Sequence, residues 1–589
     1  MLRKFKDTYY KIGQAVGEFP MVLLMAFLGS VSLMCFAELN FDARPENFFY
    51  VKFTLVSVLG ISMMFSLKML EQRIGKTVFL EICGVLFLVS FYFILPQKEE
   101  DFTEKFAFLL IPTFVLSHLF VSFAAFLSRE KELNFWQYNK NLFINIFLTA
   151  IFTGVLTGGV ELAVLAVDKL FDFNFNDKIY PQIFYLLSIF GSALIFVLFS
   201  QGGLRTLEKD GSYPEILKFF TQYILIPLLI IYAFILYFYA AKIVFKWELP
   251  RGWVSYLILA YSIVGIFALL IVHPLKQNSA KSWVRMFSRI FYFSLFPLLF
   301  LLFVAIFTRI LEYGYTEPRY FVLLLAVWLG SVVLYFNLAQ KPTIKYIPVS
   351  LFVFGIFSLT VPYLNTFSVA KRSQRAEFSK ILIENNLLKD QKIDFGTKVT
   401  DSIADEVSNK FMYLMQRSDS AFVVNFLSEK DRRDIFKAKN HRQYGGLRAQ
   451  FSDIIPTKNT VQTNRLEIFS QNKIRDISGY DYMFRPEDFD QKMTVNVGND
   501  IFIFENISNV KDPTFKITLN NNKSWDLKPF LNGKIAEYKV RSGRVEQEEI
   551  SAEKQLGDYT VKVYFNNIIA EKELVQRMYF NVGYILIAK

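Results

Sequence analysis

Only two cysteines, Cys35 and Cys83, occur in this 589-residue chain. Both lie inside apolar runs. The part after Thr366 has none, so no disulfide staples it even in an oxidising compartment. A thiolate zinc site is excluded for the same reason. Histidine is almost as scarce: His118, His273 and His441 are too scattered to build a metal centre. Gly75-Lys76-Thr77 lacks the upstream glycine of a phosphate-binding loop, and neither HExxH nor GxSxG occurs. No dense basic stretch carries interleaved aromatics. The net charge of +12 therefore does not read as a nucleic-acid surface. No cofactor or metal is expected, and without a catalytic motif the balance is against an enzyme.

What the chain has in excess is oil. Hydrophobic residues make up 53% and aromatics 17%, and the mean hydropathy is +0.31. A soluble chain is usually less apolar, because side chains that find no core must face water. The excess is confined to the stretch from Pro20 to about Leu364. The helix-length criterion of about 20 apolar residues gives about eleven spans there. They lie near 19–39, 53–70, 77–95, 106–127, 141–167, 180–200, 217–241, 252–273, 288–310, 320–339 and 344–365. The second is interrupted by Lys68, and the fifth is long enough to be tilted or broken.

Arg3, Lys4, Lys6 and Lys11 precede the first run in the manner of a signal peptide. That run is too long, and no small-x-small site closes it. Met34 also spoils Ser32-Leu33-Met34-Cys35 as a lipoprotein box, so a retained first span is expected. Placing the N-terminus inside puts roughly 18 basic residues in the inner loops against roughly 11 outside. An odd span count then carries the tail to the extracytoplasmic side, although Lys371, Arg372 and Arg375 just after the last span weigh against it. The expected location is a membrane, with the N-terminus on the cytoplasmic side.

The chain divides into a transmembrane domain over 1–365, a mainly helical soluble region over 366–490 and a β-rich extracytoplasmic module over 491–589. Helices are predicted over 373–388 and 400–416, the second by Ile403, Val407, Phe411 and Leu414 at helical spacing, with Thr400 or Asp401 as N-cap. Ser428-Glu429-Lys430-Asp431 resembles a capping box. From about Met493 the period changes to two. Thr494–Val497 and Ile501–Glu505 flank Gly498-Asn499-Asp500, which is expected to be a three-residue hairpin turn. Thr514–Leu519, Tyr559–Phe565 and Met578–Ile587 are further strand candidates, with turns at Asn520-Asn521-Asn522 and Asn532-Gly533. The pattern fits a small β-sandwich or open barrel.

An ionisable group within hydrocarbon is a functional candidate by default. Glu161 lies in span five just past Gly154-Val155-Leu156-Thr157-Gly158-Gly159, whose GxxxG spacing would admit another helix closely. It is either a proton or cation site, or a carboxylate satisfied by a neighbour or by the interface. His118, near the middle of span four, either relays protons or simply bonds across a helix interface. Pro112, Pro227, Pro297, Pro348 and Pro362 fall in or near spans. They mark discontinuous helices of the transporter kind or plain kinks. Between spans nine and ten, Arg309, Glu312, Glu317 and Arg319 stand among three tyrosines. That mixture suits a polar ligand, the tail itself, or an aromatic belt with paired charges.

Several stretches together resemble the domain-of-unknown-function 4153 family of bacterial multi-pass membrane proteins. They are Phe135-Trp136-Gln137-Tyr138-Asn139-Lys140, Phe219-Phe220-Thr221-Gln222-Tyr223-Ile224-Leu225-Ile226-Pro227, Trp247-Glu248-Leu249-Pro250-Arg251-Gly252-Trp253, Tyr313-Gly314-Tyr315-Thr316-Glu317-Pro318-Arg319-Tyr320 and Asp476-Ile477-Ser478-Gly479-Tyr480-Asp481-Tyr482. The resemblance implies a membrane bundle and no particular chemistry. The expected function is a non-enzymatic envelope scaffold or receptor whose tail binds an envelope protein partner. The alternative is a secondary transporter or lipid-handling protein that uses Glu161.

Overall fold

The computed structural model describes residues 2–39, 45–75, 78–128, 131–171, 173, 175–209, 214–246, 253–276, 282–417, 419–436, 447–448, 450–451, 454–455, 465–470, 477–485, 491–507, 514–537, 543–571 and 577–589. His441, Trp247–Gly252 and Asp476 lie outside them. The chain forms two units: residues 1–395 with 406–450, and residues 396–405 with 451–589. The polypeptide thus crosses from one unit to the other three times.

In the first unit, each of the predicted apolar runs is a helix. Nine helices among the described residues are long and apolar enough to cross a membrane: Pro20–Glu38, Phe49–Ile74, Glu104–Phe126, Glu132–Phe171, Ile179–Phe199, Leu217–Ile243, Val254–Ile271, Val284–Tyr313 and Glu317–Leu338. Val78–Ile94 and Tyr346–Thr360 are equally apolar but shorter. Their outward faces carry large apolar side chains such as Phe79, Phe93, Phe238 and Phe300, each at least 70% exposed. Water would not tolerate so much bare hydrocarbon, whereas lipid does. This is the pattern of a multi-pass membrane protein.

Two interior clusters hold these helices. One is built on residues from Ala15 to Leu142 with Ala193–Leu207, and the other on residues from Ile226 to Ile347. Small residues set the closest approaches: a Cβ on Gly60 would meet Met25 Cγ at 2.9 Å, and one on Gly84 would meet Leu67 Cδ1 at 2.5 Å. The Gly154 and Gly158 pair behaves otherwise, with nothing within 4 Å of either position. That helix packs on Ile179–Phe199, and its buried polar row is a different one, Thr149, Thr153 and Thr157. The expected close helix approach at the glycines is therefore absent among the described residues.

The prolines do not break the bundle. Pro112 and Pro297 sit inside continuous helices. The departures from α geometry are π-helical turns at Leu186–Gly191 and Phe220–Leu225. The second ends just before Pro227, whose ring cannot donate to the ladder, so a wider turn there takes up the missing bond. The fifth span is unbroken through Glu132–Phe171. At 1.5 Å per residue it is about 60 Å long, about twice the hydrocarbon thickness.

Past the last apolar helix, Thr366–Glu384 begins with the Asn365 side chain accepting from the Ser368 N–H at 2.8 Å. A short antiparallel hairpin, β1 (Leu388–Lys389) and β2 (Lys392–Ile393), comes next. Asp401–Gln416 has its Ile403 N–H reaching Thr400 Oγ1 at 3.4 Å. Ser428 caps Glu429–Phe436, accepting from the Asp431 N–H at 3.2 Å, as the capping-box pattern predicts.

The second unit is β-rich. A two-strand parallel pair joins β3 (Val399–Thr400) to β4 (Ile454–Ile455). A larger sheet runs in the order β11 (Gly543–Gln547), β5 (Arg465–Ser470), β13 (Tyr559–Glu571), β14 (Arg577–Ala588) and β6 (Tyr482–Phe484), with β12 (Ser551–Leu556) also on β13. Strands β7 (Gln491–Val497), β8 (Asp500–Ile507), β9 (Thr514–Leu519) and β10 (Lys523–Asp526) form an antiparallel meander. Period-two alternation turns Phe502, Phe504, Phe515 and Ile517 of the meander and Val561, Val563, Phe565 and Phe580 of the larger sheet into one shared core. Phe515 meets the rings of Phe565 and Phe580 with centroids 6.4 and 6.1 Å away.

Two turn expectations need correction. Val497 pairs with Asp500, so the first hairpin turns on two residues, led by Gly498 at φ +62°. Glycine at the first central position matches the strand twist better than a three-residue loop. Asn532-Gly533 lies inside a helix, Lys528–Ala536, begun by Pro529. Asn520 and Asn521 do turn the chain, at φ +47° and +56°.

Candidate functional site

Of the polar residues between spans nine and ten, Glu317 meets a second element of the chain, whereas Arg309 and Glu312 pair with each other and Arg319 folds back on its own loop. Tyr313 ends one long helix and Glu317 opens the next. Gly314, at φ +74°, makes the bend between them. Glu317 is 1% exposed, yet its carboxylate is fully engaged. Arg417 donates from Nε to Oε1 at 3.1 Å and from Nη2 to Oε2 at 3.2 Å. Tyr413 donates its hydroxyl to Oε2 at 2.6 Å. The guanidinium also lies 3.9 Å over the Tyr413 ring and reaches the exposed Glu104 at 3.4 Å. The forked geometry is the strongest form of carboxylate recognition available to a protein.

Around this clamp the loop is stitched to the helix Thr366–Glu384. Gln374 donates to the carbonyls of Tyr313 and Tyr315 at 3.0 and 2.9 Å. Ser373 Oγ accepts from the Tyr315 N–H at 2.8 Å. Arg319 turns back to the Gly314 carbonyl at 2.8 Å, and Arg309 pairs loosely with Glu312 at 3.7 Å. Both guanidinium groups face the Tyr313 ring. A second knot binds Asp419, whose carboxylate takes Arg375 Nε at 2.6 Å and Lys371 Nζ at 3.0 Å. Of the alternatives for this loop, the observed contacts are those with the tail.

Charge states follow from these contacts. Burial opposes the Arg417 cation, but its hydrogen bonds to Glu317 outweigh that and push the guanidinium above its ordinary value. Burial, helped by the Glu317 charge, pushes the Tyr413 hydroxyl well up, so it stays a donor. Burial would raise Asp419, yet bonds from Arg375 and Lys371 hold its carboxyl below the usual carboxylate range. Lys410 is lowered by burial.

The intramembrane candidates stand apart from this clamp. Glu161 is half-buried and continues an i, i+4 row through Asn145, Thr149, Thr153 and Thr157. Asn145 donates to the Phe199 carbonyl at 3.2 Å. The three threonine hydroxyls are buried without a hydrogen-bond partner. His118 is exposed on its helix, with Nδ1 donating back to the Phe114 carbonyl at 2.8 Å. It does not meet Glu161.

Sequence reasoning missed Lys52. It is 1% exposed, its Nζ has no hydrogen-bond partner, and it sits 4.0 Å over the Tyr92 ring. One lysine at a span boundary gives no signal of burial. Arg417 and Tyr413 were missed for another reason. They lie about a hundred residues from Glu317, within what reads as an ordinary amphipathic helix.

The family described as "Domain of unknown function (DUF4153)" matches residues 23–394, well over half of the chain. The chain belongs to the DUF4153 family. An uncharacterised protein of Pasteurella multocida (strain Pm70) is 26% identical over 336 residues, covering 56% of this chain and 54% of the relative. The chain thus spans about half the length of that curated relative. No solved structure matches. In this DUF4153 protein Glu317 falls inside the matched region and Arg417 beyond it, so the clamp joins the family domain to the helix Asp401–Gln416 and its end.

Proposed function

We propose that this protein is a non-enzymatic membrane scaffold of the bacterial cytoplasmic membrane, with its tail outside and a β-sandwich-like module as the partner-binding part. One observation carries this reading. Among the described residues, strand β6 closes one end of the larger sheet with only three residues, and Tyr482 and Met483 on it are 47% and 54% exposed. An edge strand with free backbone groups and bare apolar side chains is where a second chain adds itself. A photo-reactive residue at Met483 in the full-length protein, activated in native membranes, should give one discrete cross-linked protein. A product of twice the chain mass, or none, counts against a partner scaffold.

A second reading rests on the row of unpartnered threonine hydroxyls ending at Glu161: a proton- or cation-coupled transporter. Buried hydroxyls with no partner offer oxygens to a passing ion or water. Glu161→Gln should abolish the pH dependence of uptake in this reading and leave function intact in the scaffold reading.

A further inference from the structure

A cavity of about 380 Å³ opens in the first unit between five helices. That volume is within the range of small-molecule sites. Its walls are largely hydrocarbon, including Phe143, Leu270 and Leu351, but one end is polar. Ser122 stands one residue before the end of Glu104–Phe123, and Lys140 lies about 12 Å along the helix that begins at Glu132. Lys140 is 9% exposed, and its ammonium donates to Gln137 Oε1 at 2.7 Å and lies 5.4 Å over the Trp136 ring. Trp136 is itself fixed by its indole N–H on the Leu270 carbonyl at 2.7 Å. The Ser122 hydroxyl is buried with no hydrogen-bond partner. No aspartate or glutamate is among the lining residues described.

A slot that is apolar along its length, with a lysine and an unused hydroxyl at one end and no acid among its described lining residues, is complementary to an anionic amphiphile. Ser122 is next to the end of its helix and Lys140 lies in the first quarter of a 40-residue helix, which suits a headgroup at this end of the slot. We infer that the cavity binds one anionic phospholipid of the surrounding bilayer. Its phosphate is held by Lys140 and Ser122, and one acyl chain lies along Phe143, Leu270 and Leu351. The inference is independent of the scaffold reading.

Trp136 in the wall provides the probe. The full-length protein is placed in phosphatidylcholine nanodiscs, and brominated phosphatidylglycerol or brominated phosphatidylcholine is titrated in as quencher. The Trp136 signal is the difference between wild type and Trp136→Phe. Half-quenching should need about fivefold less of the anionic lipid than of the neutral one, the preference expected for one lysine near the headgroup plane. Lys140→Met should erase the preference and Lys140→Arg should keep it. Equal quenching by both lipids in the wild type means nonselective filling and overturns the proposal, whether or not the variants fold. Quenching by brominated oleate without any preference for phosphatidylglycerol overturns it too, in favour of a free fatty acid.

Discussion

Replacing Arg417 with alanine should loosen the helical segment after the membrane bundle far more than an ordinary surface change would. The guanidinium is 8% exposed and supplies two of the three hydrogen bonds to a carboxylate that is 1% exposed. Removing one member of a buried pair typically costs about 3–5 kcal/mol, most of it from the stranded charge. Tyr413 keeps its bond to the carboxylate, so the low end, about 3 kcal/mol, applies. Glu104 adds nothing to this figure, because its side chain is 65% exposed. At 1.4 kcal/mol per decade the opening equilibrium should rise about a hundredfold. Amide hydrogen exchange of residues 406–417, followed by mass spectrometry on the full-length protein in detergent, reads this directly. Pairing Arg417→Met with Glu317→Met should recover most of the protection, since two apolar groups leave no charge behind. An acceleration under about fivefold for Arg417→Ala would refute the claim that this ion pair holds the segment.

Three further outcomes are expected. Gly314→Ala puts a Cβ 2.8 Å from Glu377 Cγ at a backbone φ of +74°; it should destabilise by about 1–3 kcal/mol, read as a lower thermal midpoint with the helices retained. Asp419 has a depressed folded carboxyl pKa, so its stabilisation is present above the unfolded value and is lost as pH falls through the folded one. Protection of residues 419–426, taken relative to the intrinsic exchange rate at each pH, should therefore fall on acidification, and Asp419→Asn should flatten that dependence. Phe515→Ala, at a fully buried ring between two sheets, should cost about 3–5 kcal/mol, seen as loss of the β-rich unit's unfolding transition with the membrane unit intact.

Much of the architecture was legible because it follows from one-dimensional signals. Apolar runs located the helices of the first unit, and a change of period near Met493 located the strands. Helix caps at Asn365 and Ser428 obey local chemistry, which a window of four residues contains. What stayed hidden depends on side chains distant in sequence. Glu317 was a candidate by its neighbours, but its partners lie on a helix whose apolar stripe says nothing of Tyr413. The glycines at 154 and 158 carry an association pattern, yet packing is decided by which residues become buried, and here the buried polar row is that of the threonines. Asn532-Gly533 reads as a turn by composition, and Pro529 two residues upstream of Leu531 starts a helix instead.

The threading of the backbone bears on how the protein is made. Val399 and Thr400 form their parallel pair with Ile454 and Ile455, after the chain has returned to the first unit for residues 406–450. During synthesis this short strand must wait, unpaired, until some fifty more residues have emerged. A single cut after residue 450 therefore leaves residues 396–405 stranded on the wrong fragment, and neither piece carries the complete β-rich unit.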